Sequence, residues 1–243
     1  MLLSIRQAGV CVNTTVIAED QSAYRYLAER AGADPAVHVV GTDSGQMPTN
    51  IRRYTQTYFK LFSKRQPYML SFLRRGLDVL FSDSDTFWFR DPFPFFRGGD
   101  DFDMSMIDSK SPYPERRGNA NFCAGFMYLR PTAATLRFLE TWIETMNNQS
   151  RSGKIRADQN VLNDLLRADR PVHINIRPLD TNIFPWGPKF YSLLEQKANY
   201  STVVMHAASI RGHDAKMDKF KSSNMWLVNA TTTELLAAQS GKA

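Results

Sequence analysis

Apolar and polar positions alternate along this chain in two distinct rhythms. Val12 to Ala18, Ala36 to Gly41 and Leu77 to Ser82 are short, β-branched or continuously apolar runs, and each predicts a strand, the last a buried one. Phe102 to Asp108, Cys123 to Arg130, Val172 to Leu179 and Ser201 to Ala207 read the same way. Between them lie segments with helical spacing: Glu19 to Gly32, stopped by its glycine; Thr132 to Asn148, opened by Pro131 and Thr132; and Ala157 to Ala168. The stretch from Thr49 to Arg75 is long, basic and aromatic, with Tyr58, Leu61, Phe62, Met69, Leu70 and Leu73 on recurrent helical faces. Pro67 is expected to divide it into two helices. Strands alternating with helices predict an α/β architecture with a mainly parallel central sheet. No repeat, low-complexity tract or linker interrupts residues 1–243, so a single domain is expected, with residues about 229–243 as a surface tail.

Composition adds constraints. Hydrophobic residues make up 43% and charged residues 22%, which suits a chain that buries a real core. The formal net charge of +6 favours anionic ligands, but the lysines and arginines are scattered and form no basic block, which argues against nucleic acid as a partner. Two cysteines, Cys11 and Cys123, give neither a disulfide framework nor metal–thiolate spacing. Four Asn-x-Ser/Thr triplets, at Asn13, Asn148, Asn199 and Asn229, suit a secretory-pathway protein. The opening residues are charged too early for a signal peptide, and no apolar run approaches the ~18 residues of a membrane-spanning helix.

The run Val79-Leu80-Phe81 ends in Asp83 and Asp85, separated by Ser84. Ligands of α/β sheets gather beyond the carboxyl ends of the strands, where these two carboxylates are expected to lie. Carboxylates at i and i+2 can coordinate a hard divalent cation, which can bridge a diphosphate. They can equally cap an Asp-rich turn, and spacing alone leaves both readings open. Asp101 and Asp103 form a second such pair but follow a glycine turn, and read as loop and strand start. Phosphatases of the haloacid dehalogenase type also join an apolar strand to Asp-x-Asp, but place Thr or Val where Phe87 stands. His206 ends the apolar run "TVVM"; it is a candidate third ligand, and an imidazole beside two carboxylates suits Mn²⁺ better than Mg²⁺. A buried structural histidine is the plainer reading of the same residue. Asp158 can N-cap the helix that follows it. Trp88 and Trp226 read as packing residues, and Lys64 and Arg74 as surface cations.

The block "GLDVLFSDSDTFWFRDPF" resembles that of a nucleotide-diphospho-sugar transferase family that includes plant cell-wall xylosyl- and arabinosyltransferases such as the rhamnogalacturonan II xylosyltransferases. "NFCAGFMYLRPT", "ADQNVLN" and "MHAASIRGHDAKMDKFKSSNMWL" match further blocks in order, so the resemblance covers roughly residues 1–228. It implies a GT-A fold, a divalent metal (Mn²⁺, or Mg²⁺), a UDP-sugar donor and retaining transfer to a glycan or glycoprotein hydroxyl. By this resemblance Asp83 and Asp85 are metal ligands, with Ser84 between them at the donor, and His206 is the third ligand. Gly212 and Lys216 approach the donor diphosphate, Gly125 forms site wall, and Asp158 and Gln159 line the sugar and acceptor face. The family opens with a strand before its first helix, whereas "MLLSIRQAGV" reads as the end of that helix, so the first strand is expected to be missing. That departure keeps a second reading open, a catalytically silent nucleotide- or carbohydrate-binding relative. The Golgi lumen is the implied location, with membrane attachment through an anchor outside this sequence; the alternative is cytoplasmic.

Overall fold

The computed structural model describes residues 1–32, 34–42, 51–52, 55–97, 102–108, 121–153, 156–167 and 173–228. In chain order the elements are α1 (Leu2–Gln7), β1 (Thr14–Ala18), α2 (Gln21–Ala31), β2 (Val37–Gly41), α3 (Gln56–Phe62), α4 (Arg65–Leu73), β3 (Val79–Ser82), β4 (Thr86–Trp88), β5 (Met104–Asp108), β6 (Phe122–Leu129), α5 (Ala133–Arg151), α6 (Asp158–Arg167), β7 (Ile176–Leu179), α7 (Gly187–Glu195), β8 (Val204–His206) and α8 (His213–Ser222). The chain divides into two compact units. The smaller contains Met1–Gly9, Asp83–Pro92 and Thr181–Ala243; the larger contains Val10–Ser82 and Phe93–Asp180. The expected tail and the sequon at Asn229 lie outside the described residues.

In the larger unit, β3, β6, β5 and β7 form a four-stranded sheet in that order. β6 runs antiparallel to both neighbours and β7 parallel to β5, so three of its strands point one way. β1 and β2 form a separate parallel pair. The burial pattern follows position: the central strands β5 and β6 are buried throughout, while β3, at the sheet's edge, is half-buried rather than the buried strand its apolar run suggests. β3 still commits Val79 and Phe81 to the core, beneath Met69, Leu70 and Leu73 of α4, Phe138, Leu139 and Trp142 of α5, and Val161 and Leu162 of α6. Thr132 caps α5 as expected, its hydroxyl accepting from the Thr135 N–H while donating to Asp103 at 2.5 Å. That contact gives Asp103 the structural role expected of the second acidic pair; Asp101 lies outside the described residues.

The break between α3 and α4 falls at Ser63 and Lys64, not at Pro67. Pro67 is the third residue of α4, where its missing N–H is one the first turn leaves unpaired in any case. A proline there costs nothing and its fixed φ suits the turn.

Two elements of the smaller unit, β4 and α7, are ones the sequence pattern did not single out. β4 pairs antiparallel with β8, setting Thr86 opposite His206, Phe87 opposite Met205 and Trp88 opposite Val204. Phe190, Tyr191, Met205, Ala207 and Met225 form its core, with Phe87 and Phe89 packed against them. Gly187, the first residue of α7, is fixed by close approach: a Cβ there would come within 2.8 Å of the Ala208 carbonyl and the Ile210 side chain.

Candidate functional site

In the smaller unit the two aspartates of the turn after β3 meet the last residue of β8. The His206 Nε2 lies 3.2 Å from Asp85 Oδ1 and 3.6 Å from Asp83 Oδ2, and one donor atom from each of the three falls within 4.8 Å of the others. Local pairing makes this arrangement. The Ala207 N–H donates to the Asp85 carbonyl at 3.0 Å and the His206 N–H to the Pro185 carbonyl at 3.1 Å, so the His206 end of β8 is held on both sides. The Thr86 hydroxyl donates to the Asp83 carbonyl at 3.2 Å, closing the acidic turn. Trp88 is buried beneath it as a packing residue, its indole N–H on the Thr86 hydroxyl at 3.2 Å.

Two carboxylates and a buried imidazole fit a hard or borderline divalent cation. Metal–ligand bonds of 2.0–2.6 Å in octahedral geometry separate neighbouring donor atoms by about 3–3.7 Å, the range in which His206 already stands from both aspartates. Burial alone would push the Asp85 carboxyl up, but the His206 imidazole and the Lys216 ammonium outweigh it and hold the group well below the usual carboxylate range. Lys216, on α8, donates directly to Asp85 Oδ2. Gly212 precedes that helix with φ 92° and ψ 151°, a region essentially reserved for glycine. Ser84 is exposed at the tip of the acidic turn.

In the larger unit, Asp158 and Gln159 open α6, and both are engaged. Asp158 is buried and does not cap the helix in the way its position suggests. Its Oδ2 receives the Arg65 Nε at 2.5 Å, the Arg65 Nη2, and the Gln66 Nε2 at 2.8 Å. Its Oδ1 receives the Gln159 N–H at 2.8 Å, and its carbonyl accepts from the Trp142 indole at 3.1 Å. The Gln159 Oε1 accepts from the Ala124 N–H at 3.2 Å. That N–H lies where β6 breaks register with β5: Met106 faces Met127, yet Asp108 faces Phe122. Gly125 is buried within the same irregular stretch. Asn163, one turn along α6, binds both the N–H and the carbonyl of Phe122, at 2.8 and 2.9 Å.

Asp83, Asp85, His206 and Lys216 are thus brought together within one unit, and Asp158, Gln159 and Gly125 are neighbours within the other. Arg65 and Gln66 escaped sequence reasoning, which weighed Lys64 and Arg74 instead. Arg74 is exposed, 2.8 Å from Glu140, whereas Lys64 is half-buried, 2.6 Å from Glu19.

Comparison with known proteins bears on the chain as a whole. The family described as nucleotide-diphospho-sugar transferase matches residues 9–220. UDP-D-xylose:L-fucose alpha-1,3-D-xylosyltransferase 1 of Arabidopsis thaliana is 29% identical over 190 residues, covering 72% of this chain and 52% of its own length. UDP-galactose:fucoside alpha-3-galactosyltransferase of Dictyostelium discoideum is 26% identical over 202 residues, covering 77% of this chain and 31% of its own. The chain therefore spans about half, or less, of the length of these relatives. Among solved structures, the galactosyltransferase LgtC with donor and acceptor sugar analogues superposes with a TM-score of 0.54 at 14% identity, over 95% of this chain and 92% of its own. The bifunctional glycosyltransferase WbbM gives a TM-score of 0.59 at 12% identity, over 98% of this chain and 48% of its own. At these identities the structures speak to the fold, which is GT-A.

Proposed function

The chain belongs to the nucleotide-diphospho-sugar transferase family, and from that premise we propose that it transfers a sugar from a UDP-sugar to a glycan or glycoprotein hydroxyl, with retention of anomeric configuration. The relatives named for UDP-xylose and UDP-galactose support a donor of xylose, arabinose or galactose type. The observation that carries the reading is the convergence of Asp83, Asp85 and His206 within 4.8 Å. These residues would hold Mn²⁺ or Mg²⁺, which when bound neutralises charge on the departing diphosphate and fixes its orientation.

The chain's own residues supply the rest. Lys216 stands on Asp85 at the foot of α8 and offers a mobile cation to the diphosphate, so the leaving group needs no strong general acid. Gly212 gives the backbone before it the freedom to approach the same phosphates. Asp158 and Gln159 position the transferred sugar, and the Asp158 carboxylate stabilises the positive charge that develops on it. The same carboxylate, acting instead as a nucleophile, would give retention by double displacement. The complete protein is proposed to work in the Golgi lumen, where the sequons would be used; among the described residues no helix is long and apolar enough to cross a membrane.

Transfer to a fucoside acceptor, followed by NMR of the new glycosidic linkage, tests the stereochemistry. The α-anomer from an α-linked UDP-sugar is expected, and Asp158→Asn should slow transfer at least a hundredfold while UDP still binds. A β-linked product would contradict retention, and an Asp158→Asn variant as fast as the wild type would contradict both roles of that carboxylate. UDP binding with no turnover of any donor would favour a silent relative.

A further inference from the structure

Asp158 is held more tightly than helix packing requires, and held unevenly. A carboxylate oxygen offers about two lone-pair sites. Oδ2 of Asp158 meets three donors, the Nε and Nη2 of Arg65 and the Nε2 of Gln66. Among the described residues Oδ1 meets one, the N–H of its own neighbour Gln159. Arg65 and Gln66 are the first two residues of α4, and Asp158 is the first of α6. The Arg65 guanidinium is itself steadied by the rings of Phe62 and Phe81, centred 5.2 and 5.4 Å away.

Gln66 carries a cost. Its side chain is fully buried, and while Nε2 serves Asp158, Oε1 finds no hydrogen-bond partner among the described residues. An orphaned buried carbonyl destabilises the fold, and an apolar side chain of similar size would avoid that. A packing role alone gives no reason for an amide at this position; delivery of one N–H to Asp158 does.

Resting on the sugar-facing role proposed for Asp158, we infer that Arg65 and Gln66 are positioning residues that saturate Oδ2 and so present Oδ1 as the oxygen that works on the donor sugar. A carboxylate free to rotate would exchange its two oxygens and lose the geometry that a charge-stabilising group needs.

The test compares Gln66→Leu, Arg65→Lys and Asp158→Asn in the full chain with Mn²⁺. UDP-xylose and UDP-galactose hydrolysis is read as separate kcat and KM, alongside UDP affinity and thermal midpoint. Gln66→Leu should leave the midpoint unchanged or higher, leave KM and UDP affinity unchanged, and lower kcat about tenfold. Arg65→Lys, which keeps the charge but loses the two-pronged fork, should lower kcat further at unchanged UDP affinity. If Gln66→Leu keeps kcat within twofold while Asp158→Asn is inactive, the positioning role is wrong and the reading of Asp158 survives. If Arg65→Lys and Gln66→Leu lose thermal midpoint but not kcat, the contact is a structural staple only. If Asp158→Asn is fully active, the underlying reading falls and this inference with it.

Discussion

Lys216 and a divalent cation compete for one carboxylate. The ammonium donates to Asp85 Oδ2 while His206 stands 3.2 Å from Oδ1, so Asp85 is shared between two positive partners. Lys216 is therefore expected to leave this carboxylate when the cation site fills and to be taken up by the diphosphate, which couples the two ligands. Lys216→Gln should bind Mn²⁺ alone several-fold more tightly, because the competing charge is gone. It should bind UDP in the presence of Mn²⁺ about ten- to a hundredfold more weakly, because a charge-assisted contact of about 1.5–3 kcal/mol is lost. Isothermal titration of each ligand reads both effects. Unchanged Mn²⁺ affinity in the variant would show that Lys216 does not compete for the site.

Among the elements, α6 does most to fix the larger unit's candidate site, and it does so through β6. Asn163 satisfies both the N–H and the carbonyl of Phe122, and Gln159 satisfies Ala124, where the ladder to β5 fails. Asn163→Leu should cost about 2–6 kcal/mol in urea denaturation, since two buried backbone groups lose their partners at about 1–3 kcal/mol each. A loss under about 1 kcal/mol would mean that β6 finds other partners.

This element also marks the limit of what the sequence reveals. β1, β2, α2, α5 and α6 were legible from their clean periods, and the helices α2 and α5 from a stop or cap as well, at Gly32 and Thr132. The acidic turn was legible because an apolar run ends in it. β4, only three residues long, was hidden inside the motif, and α7 was masked by the punctuation Pro185-Trp186-Gly187-Pro188. Arg65 and Gln66 were not legible for a different reason: their partner Asp158 is 93 and 92 residues away, and nothing local distinguishes them from Lys64.

For the molecule as a whole, the family match over residues 9–220 spans the acidic turn, the opening of α6, His206 and Lys216 alike. The central proposal is that Asp83, Asp85 and His206 make UDP-sugar chemistry depend on a divalent cation. The most direct test is UDP release from UDP-xylose and UDP-galactose by the purified chain, with Mn²⁺ and with EDTA, for the wild type and Asp85→Ala. Release in Mn²⁺ that EDTA abolishes and added Mn²⁺ restores, and a loss of at least a hundredfold in Asp85→Ala, is the predicted result. Release that persists in EDTA, or in Asp85→Ala at the wild-type rate, would contradict that dependence.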